Sequence, residues 1–269
     1  MRILNSIKAQ EGFVSEKIEI REGPYGSSIF TTQKIHKDDT ILEIKTSSII
    51  SVNSILDSDV LRKFMASLKI SLTPYDLLAI YLTLSRLTGE NAAYMSSLQK
   101  TFDSPLTWPA SDVLELPLDI KFFVMSTLSH MKKVFSAINE KLPEINNFKF
   151  FKWCYLNVIT RNFNGGVLAI KAPTWLEINS RNQNASLIPG LDVCNHWNSP
   201  NCRYSLKDDR FFLTAKDTID SNKEIFISYG YSKGDHELLS TYGFVLPPGV
   251  NLSTKVQKRL KHTRTRLNN

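Results

Sequence analysis

The stretch from residue 190 to residue 205, GLDVCNHWNSPNCRYS, concentrates side chains that could carry chemistry. It holds Asp192, Cys194, His196 and Cys202, a set of residue types that can bind a metal ion. Zinc sites use pairs such as Cys-x2-Cys, whereas one residue separates Cys194 from His196 and seven separate Cys194 from Cys202. A fourth ligand would have to be Asp192 or a cysteine elsewhere in the chain. We therefore predict no metal site and interpret the cysteines as small buried apolar residues.

Nucleophilic and phosphate-binding chemistry find no support either. Cys194 and His196 are too close in sequence for a thiol–imidazole pair, whose partners are normally remote in the chain. No Gly-x-Ser-x-Gly elbow and no Walker loop occur in the sequence. The glycines near residue 25 and the pair at 165–166 do not form a Gly-x-Gly-x-x-Gly fingerprint. What remains for the stretch is a tight turn that packs well, or a role for the pair formed by Asn195 and His196.

The net charge of +7 lies almost wholly in one segment. Residues 251–269, NLSTKVQKRLKHTRTRLNN, carry six Lys and Arg residues and no acid, so they hold six of the seven excess positive charges. A basic segment can contact nucleic acid or an acidic partner. No RNP motif, helix-turn-helix signature or zinc finger accompanies it. We favour a solvated helix face here and keep nucleic-acid contact as the alternative.

The composition predicts a soluble protein with a large core. The chain has 269 residues, of which 42% are apolar. Its N-terminus lacks the apolar run and cleavage site of a secretory signal. The longest apolar run, at 77–85, is shorter than the roughly 20 residues that span a bilayer. Three cysteines without framework spacing indicate a reducing compartment. We therefore expect a cytoplasmic or nuclear protein without membrane contact.

The elements that must position these residues follow from the hydrophobic pattern. The first 50 residues are rich in alternating segments such as 40–51 and predict strands. Helical spacing then predicts five helices, over 57–69, 73–89, 91–102, 117–142 and 145–163. Thr73-Pro74 and Gly89 are start and stop signals of the second helix. Strands and turns return after residue 174, including a hairpin over 203–219 that turns at its two central aspartates.

Five short motifs surround this helical block in a fixed order. They are YGSSIF at 25–30, TRNF at 160–163, LDVCNH at 191–196, EIFISYG at 224–230 and LLSTYGFV at 238–245. Together they resemble the SET-domain protein methyltransferases. Within that family the likeness is greatest to the branch of the Rubisco large-subunit and fungal ribosomal-protein lysine methyltransferases. The resemblance implies a mixed α+β fold: a SET fold of small curled β-sheets with a threaded (pseudoknot) crossing and an inserted helical subdomain.

The same resemblance divides the chain. It implies an N-terminal SET segment over 1–56, a helical insertion over 57–150 and a C-terminal SET segment over 151–246 that carries the cofactor and catalytic motifs. Residues 247–269 then look like a basic tail that begins a truncated substrate-binding domain. The zinc-binding cysteine cluster that follows the SET core in many histone methyltransferases has no counterpart, because no cysteine follows Cys202.

The implied reaction transfers a methyl group from S-adenosylmethionine (SAM) to the amine of a protein lysine. The donor is a sulfonium, so no metal is needed. The acceptor amine must be neutral, although a free lysine with a pKa near 10.4 is charged at pH 7; a nearby cation and a dry channel favour the neutral form. By resemblance, the catalytic residue is Tyr229, whose hydroxyl orients the methyl group and the amine. The alternative for Tyr229 is a core tyrosine at a strand end.

The resemblance also assigns the cofactor contacts. They are Tyr25, Gly26, Ser27, Arg161, Asp192, Asn195, His196, Tyr229 and Phe244. Asn195 and His196 correspond to the turn that holds SAM, and Asp192 would brace this turn. Other interpretations are a helix-end cation for Arg161 and an ordinary core aromatic residue for Phe244.

Three aromatic residues are implied walls of the lysine channel. They are Tyr204, Tyr242 and Phe226, since aromatic faces attract an ammonium group. The alternative for Phe226 is a buried strand residue. One departure from the family pattern lies in the N-terminal hairpin, where Ser28 replaces the second glycine of Gly-x-Gly.

We therefore expect a SAM-dependent protein-lysine N-methyltransferase that acts on a non-histone protein, such as a ribosomal or translation-related one. Two alternatives stay open. Ser28 and the missing C-terminal domain favour a SET-like interaction module without activity. A protein-histidine methyltransferase of the same fold is the other alternative.

Overall fold

The structure, a computed structural model, describes residues 2–163, 176, 185–230 and 233–246. Its α-helices in these ranges are α1 Arg2–Ala9, α2 Val52–Leu56, α3 Asp59–Ser67, α4 Pro74–Thr88, α5 Ala92–Ser97, α6 Ala110–Val113, α7 Leu118–Lys141, α8 Phe148–Arg161 and α9 Asp235–Tyr242. Its strands are β1 Phe13–Val14, β2 Ile18–Gly23, β3 Gly26–Thr31, β4 Thr40–Lys45, β5 Ile50–Ser51, β6 Ser186–Leu187, β7 Asn195–His196, β8 Cys202–Lys207, β9 Arg210–Ala215 and β10 Phe226–Ile227. Short 3-10 helices cover Thr46–Ser48, Pro105–Thr107 and Leu191–Val193.

The strands form several small sheets. β1, β4, β9 and β8 pair in that order, β2 and β3 form a hairpin, and β5 pairs with β6. β7 and β10 pair in parallel. The β8–β9 hairpin turns at Asp208 and Asp209, whose φ values of 49° and 57° are those that a two-residue hairpin turn requires. β4 pairs with β9 and β5 pairs with β6. Strands that precede the helical block in the sequence therefore pair with strands that follow it.

The helix α4 shows why the helical block begins and ends where it does. The Thr73 hydroxyl accepts the backbone N–H of Asp76, and the Asp76 carboxylate accepts the N–H of Thr73 at 2.7 Å. This reciprocal pair satisfies two of the N–H groups that a helix start leaves without partners. Pro74 occupies the first helical position, and Gly89 ends the helix with a left-handed φ of 75°. Both sequence signals are therefore used as predicted.

The helices and the sheets share one core. Buried apolar side chains form a connected cluster that extends from β3 and β4 into α4, α7 and α8. On α8, this cluster includes Phe151, Cys154 and Val158, all fully buried. The packing fixes the C-terminal end of α8, at Arg161, against the β-rich part of the chain. The helical block thus helps to position the site described below.

The fold class predicted from the sequence is confirmed, because small antiparallel sheets and a helical block occur together in the order expected. The helix α1 was not expected, since the first 50 residues predict strands. It buries Ile3, Leu4 and Ile7, and a helix of eight residues depends on such packing because it is marginal alone. Within the motif EIFISYG at 224–230, only Phe226–Ile227 forms a strand.

Some sequence predictions are not addressed by the described residues. The threaded crossing stays a prediction. The boundary predicted between residues 150 and 151 falls inside α8. The basic tail and the glycine pair at 165–166 lie outside the described residues. Across the described part of the chain, no helix combines the length and apolar character needed to cross a bilayer.

Candidate functional site

The turn before β7 owes its shape to Gly190 and the 3-10 helix Leu191–Val193. Gly190 has a φ of +87°, and a Cβ added there would lie 2.5 Å from the Ile7 side chain, so no larger residue fits without a shift. The Cys194 N–H donates to the Leu191 carbonyl at 3.2 Å and closes the turn. The chain then enters β7, which pairs with β10. This arrangement places Asn195 and His196 beside the strand that leads to Tyr229.

A buried ion pair between Arg161 and Asp192 stabilises this turn. The Arg161 guanidinium lies 3.6 Å from Asp192 Oδ1, and the two side chains are 8% and 0% exposed. Arg161 also donates to the Asp192 backbone carbonyl at 3.2 Å, and the Tyr94 hydroxyl donates to Asp192 Oδ2 at 2.6 Å. Burial raises the pKa of Asp192, and Arg161 and Tyr94 oppose this effect. Asp192 therefore braces the turn, and Arg161 reaches across to it.

Asn195 is held by a second carboxylate. Its Nδ2 donates to Glu224 Oε1 at 2.7 Å. Glu224 is buried, and burial raises the pKa of its carboxyl, while the hydrogen bond from Asn195 lowers it. Asn201, just before β8, holds the chain at the start of β10. Its side chain donates to the Glu224 carbonyl and accepts a hydrogen bond from the Phe226 N–H, both at 2.8 Å. The Asn195 carboxamide is thus fixed with its nitrogen toward Glu224.

His196, Tyr229, Tyr242 and Phe244 form an aromatic cluster. The His196 and Tyr229 rings are stacked with centroids 5.2 Å apart, and Tyr229 lies 4.8 Å from Tyr242. Phe244 lies 6.2 Å from His196 and 6.0 Å from Tyr242. The Tyr229 N–H donates to His196 Nδ1 at 3.0 Å, which requires an unprotonated Nδ1. Burial lowers the pKa of His196, in agreement with a neutral ring.

The Tyr229 hydroxyl points back to the turn. It donates to the Cys194 carbonyl at 3.0 Å. Burial raises the pKa of Tyr229 well above its ordinary value, although Arg161 opposes the shift, so the hydroxyl keeps its proton and stays a donor. Burial likewise raises the pKa of Tyr242, and the nearby hydroxyl of Tyr229 raises it further. The Tyr229 hydroxyl and the Cys194 carbonyl therefore meet where the Tyr229 ring packs against the Tyr242 ring.

The N-terminal hairpin approaches from another side. Tyr25 lies between β2 and β3, and Gly26 and Ser27 are the first two residues of β3. The Tyr25 ring lies 6.0 Å from Phe226 and 6.2 Å from Trp197. Phe226 is therefore packed with the hairpin tip and Trp197. Its predicted partners in the lysine channel, Tyr204 and Tyr242, have other neighbours, and its role there stays a prediction.

Tyr204 projects from β8 and is exposed. Its ring meets Phe163 edge to face at 5.4 Å and stacks on Phe211 at 6.2 Å. It is also close enough to Tyr242 to contribute to the raised pKa of that residue. Of the three predicted channel walls, Tyr204 and Tyr242 thus interact electrostatically, and their role as walls stays a prediction.

Three residues of this region were missed from the sequence as site residues. Tyr94 binds Asp192 across 98 residues of chain, and no local pattern predicts that partner. Glu224 stands in the quoted motif EIFISYG, where a charged residue next to a buried strand was a usable signal. Tyr75, at the start of α4, contributes to the raised pKa of Tyr242, so the helical block also reaches the cluster.

The cysteines are free and buried. Burial raises the pKa of the Cys154 and Cys202 thiols to about 12 and that of Cys194 well above its usual value. Inert thiols in the core agree with their interpretation as packing residues. Within the ranges that the structure describes, no three His, Cys, Asp or Glu side chains come together to hold a metal ion.

Comparison with known proteins gives the class to which this fold and site belong. Residues 26–230 match the SET domain family. The match spans most of the chain, and the chain therefore belongs to the SET-domain family.

Individual relatives are more distant. The chain is 25% identical over 190 residues to SET domain-containing protein 8 of Schizosaccharomyces pombe, covering 67% of this chain and 40% of that protein. It is 22% identical over 266 residues to the chloroplastic Rubisco large-subunit N-methyltransferase of Nicotiana tabacum, covering 88% and 50%. It is 27% identical over 177 residues to the actin-histidine N-methyltransferase of Xenopus tropicalis, covering 61% and 28%. The chain thus spans half or less of the length of these relatives.

A solved structure shares the fold. The SET domain of LSMT bound to methyllysine and AdoHcy superposes with a TM-score of 0.72 at 19% identity, over 91% of this chain and 56% of that one. At this level of identity the similarity shows the fold alone.

Proposed function

We propose that this chain is a SAM-dependent protein methyltransferase that transfers a methyl group to a lysine side chain. The observation that carries the proposal is the convergence of the Tyr229 hydroxyl, the Cys194 carbonyl and the Tyr242 ring beside the turn of Asn195 and His196. These groups come from three motifs of the family that are far apart in the sequence. Two relatives named as N-methyltransferases add support.

The electrostatics of the site suit a reaction between a sulfonium and an amine. In the described part of the chain, and besides burial, Asp192 and Glu224 raise the pKa of Tyr229 and the Arg161 guanidinium lowers it. The two carboxylates favour a cationic donor, while Lys233, whose Nζ lies 5.9 Å from the Tyr242 ring centroid, is a further cation that favours the neutral form of an amine beside it. The Tyr229 hydroxyl and the Cys194 carbonyl would orient the methyl group by weak C–H···O contacts. Precise positioning, and not proton transfer, would then supply most of the acceleration.

The residues present fit a bound SAM. When bound, SAM supplies an electrophilic methyl group on sulfur. The half-buried Phe244 ring beside His196 offers a surface on which an adenine can stack. At the hairpin tip, Gly26 has open space around its Cα, since an added Cβ would meet nothing within 4 Å. Asn195, held by Glu224, can fix the amino-acid part. Arg161 would act through Asp192, because its guanidinium is turned to that carboxylate.

The acceptor and the location of the protein are finer parts of the same proposal. We propose a lysine of a non-histone protein, ribosomal or translation-related, that enters between Tyr204 and Tyr242. Two relatives are named for Rubisco and for actin, neither of which is a histone. We also keep the division at residues 56, 150 and 246, and a cytoplasmic or nuclear location, as proposals. One relative is chloroplastic, so the location needs its own measurement.

A histidine acceptor is the second candidate, because one relative is an actin-histidine N-methyltransferase. A neutral imidazole needs no deprotonation at pH 7, since its pKa is near 6.5. Mass spectrometry of the labelled product distinguishes a methylated lysine from a methylated histidine.

The test combines binding and activity. Calorimetry with SAM, and transfer from labelled SAM to proteins of a lysate, are measured for the wild type and for Tyr229→Phe. Tyr81→Phe is the matched control, because the Tyr81 hydroxyl bonds Asn91 in the helical block, away from the cluster. We expect Tyr229→Phe to lose about 100-fold in rate, the loss typical of a misplaced reacting group, and Tyr81→Phe to match the wild type. A chain that binds no SAM and labels no protein would be an interaction module.

A further inference from the structure

A row of exposed apolar side chains follows the start of α7. Leu114, Leu118, Phe122 and Met125 are between 66% and 80% exposed. Leu118, Phe122 and Met125 are spaced by four and three residues within α7, which places these three on one face of the helix. Leu114 precedes α7, but its carbonyl accepts the Lys121 ammonium at 3.3 Å, which holds it beside the first turn. We call these four residues the apolar stripe. Single exposed apolar residues are ordinary, whereas a contiguous row marks a surface that something covers.

The C-terminal end of the described chain lies close to the apolar stripe. Asp119, the residue after Leu118, forms a 2.6 Å contact through Oδ2 with His236 Nδ1 at the start of α9. Asp235 precedes that histidine, and its Oδ1 accepts the Leu246 N–H at 3.2 Å. Leu246, the last described residue, is therefore tied to the first turn of α9, and this turn is tied to the first turn of α7. The described chain thus ends at Leu246, close to the first turn of α7 that carries Leu118.

The sequence after residue 246 has a complementary pattern. Leu252, Val256 and Leu260 are spaced by four residues, which predicts an apolar face on a helix. Lys and Arg residues flank this face, and no acid occurs from 247 to 269. Beside the apolar stripe, Glu115 and Asp119 are exposed acids. The six residues from Leu246 to Leu252 can span about 20 Å when extended, which is ample for a surface that begins at the exit point.

We propose that residues 252–260 dock on the apolar stripe of the same chain. Leu252, Val256 and Leu260 cover the stripe, and the basic residues between them face Glu115 and Asp119. Because the two partners belong to one chain, a weak contact suffices, since the short connection gives a high effective concentration. This docking does not depend on the methyl-transfer reaction, and either proposal can fail without the other.

Limited trypsin digestion of the full chain tests the docking. Trypsin cuts after Lys and Arg, and cleavage after Lys255 and Lys258 is followed by mass spectrometry. In the double variant Phe122→Ser/Met125→Ser, we expect these cuts about tenfold faster or more, because cleavage follows the fraction of undocked chains. Val60→Ser is the matched control, since Val60 is 77% exposed on α3, away from the stripe. All three changed residues are exposed, so the fold persists. Equal rates in the wild type and the double variant would overturn the proposal.

Cross-linking gives a second measurement that leaves the apolar residues intact. Ser126→Cys/Arg259→Cys pairs the tail with the stripe, while Ser136→Cys/Arg259→Cys uses an exposed position of α7 about 15 Å further along the axis. The native cysteines are buried and do not compete. We expect the first pair to form an intrachain disulfide at least about tenfold faster. Equal rates, or disulfides between two chains in place of those within one chain, overturn the proposal; the latter would show that a second copy covers the stripe.

Discussion

Replacing Arg161 by methionine would leave the Asp192 carboxylate buried without its cation. The guanidinium lies 3.6 Å from Asp192 Oδ1. With an effective dielectric constant of about 20, Coulomb's law gives an attraction of about 4–5 kcal/mol at this distance. Removal of one partner of a buried pair typically costs about 3–5 kcal/mol. We therefore expect Arg161→Met to lower the free energy of unfolding by about 3–5 kcal/mol at pH 8, measured by urea denaturation.

If the loss of unfolding free energy comes from the buried Asp192 carboxylate, it must depend on pH. Burial raises the folded-state pKa of Asp192 above 3.8, and Arg161 is the main group that lowers it, so Arg161→Met raises it further. An acid with a raised folded-state pKa binds more protons in the folded state than in the unfolded state. The free energy of unfolding then falls as pH rises through the window between 3.8 and the raised pKa. The deficit relative to the wild type should therefore be full above the folded-state pKa of Asp192 in the variant and shrink as the pH falls toward the lower folded-state pKa of Asp192 in the wild type.

Two further variants complete the test. Arg203→Met breaks the exposed pair of Arg203 and Asp38, and it should cost no more than about 1 kcal/mol. The double variant Arg161→Met/Asp192→Asn removes both buried charges and should be more stable than Arg161→Met alone. The reasoning is refuted if Arg161→Met is within about 1 kcal/mol of Arg203→Met at pH 8, or if its deficit is the same at every pH.

Two other predictions concern the end of α9 and the aromatic cluster. Gly89→Ala should lower the free energy of unfolding by roughly 1–2 kcal/mol, because Gly89 has a left-handed φ. Gly243→Ala should lower it clearly more, because Gly243 is also left-handed and an added Cβ would lie 2.2 Å from the Asp103 carbonyl oxygen. Equal losses of unfolding free energy in the two variants would contradict this. His196 should titrate below 6.5 in an NMR experiment, because burial lowers its pKa and its Nδ1 accepts the Tyr229 N–H. The unfolded state then binds more protons, so stability and SAM affinity should fall as pH drops below 6.5. A midpoint at or above 6.5 would refute the neutral ring.

Local patterns predicted the elements well where the signal was local. Thr73-Pro74 and Gly89 bound α4 within one residue of expectation, and the two aspartates at 208 and 209 form the hairpin turn. The helix α1 escaped prediction because its stability comes from burying Ile3, Leu4 and Ile7 against distant residues. A helix of eight residues is marginal by itself, so its hydrophobic periodicity alone was too weak a signal to predict it.

The site was predictable only as far as its motifs were. The order of motifs led to Asn195, His196, Tyr229 and Phe244, and the structure places their side chains in one cluster or beside it. The partners that hold them were not predictable. Tyr94 reaches Asp192 from 98 residues away, and such a contact depends on the packing of α5 against α1 and α4, which no spacing in the sequence encodes.

The reactivity of the three buried thiols can report local unfolding of the chain. Cys154 lies in α8, whereas Cys194 and Cys202 flank the turn and β8 in the β-rich part. Because a shielded thiol with a raised pKa reacts slowly, a thiol reagent labels mainly molecules that have opened around it. The relative labelling rates of Cys154 and the other two would reveal whether the helical block and the sheets open as one unit. The native cysteines suffice for that experiment, so no cysteine has to be introduced by mutation.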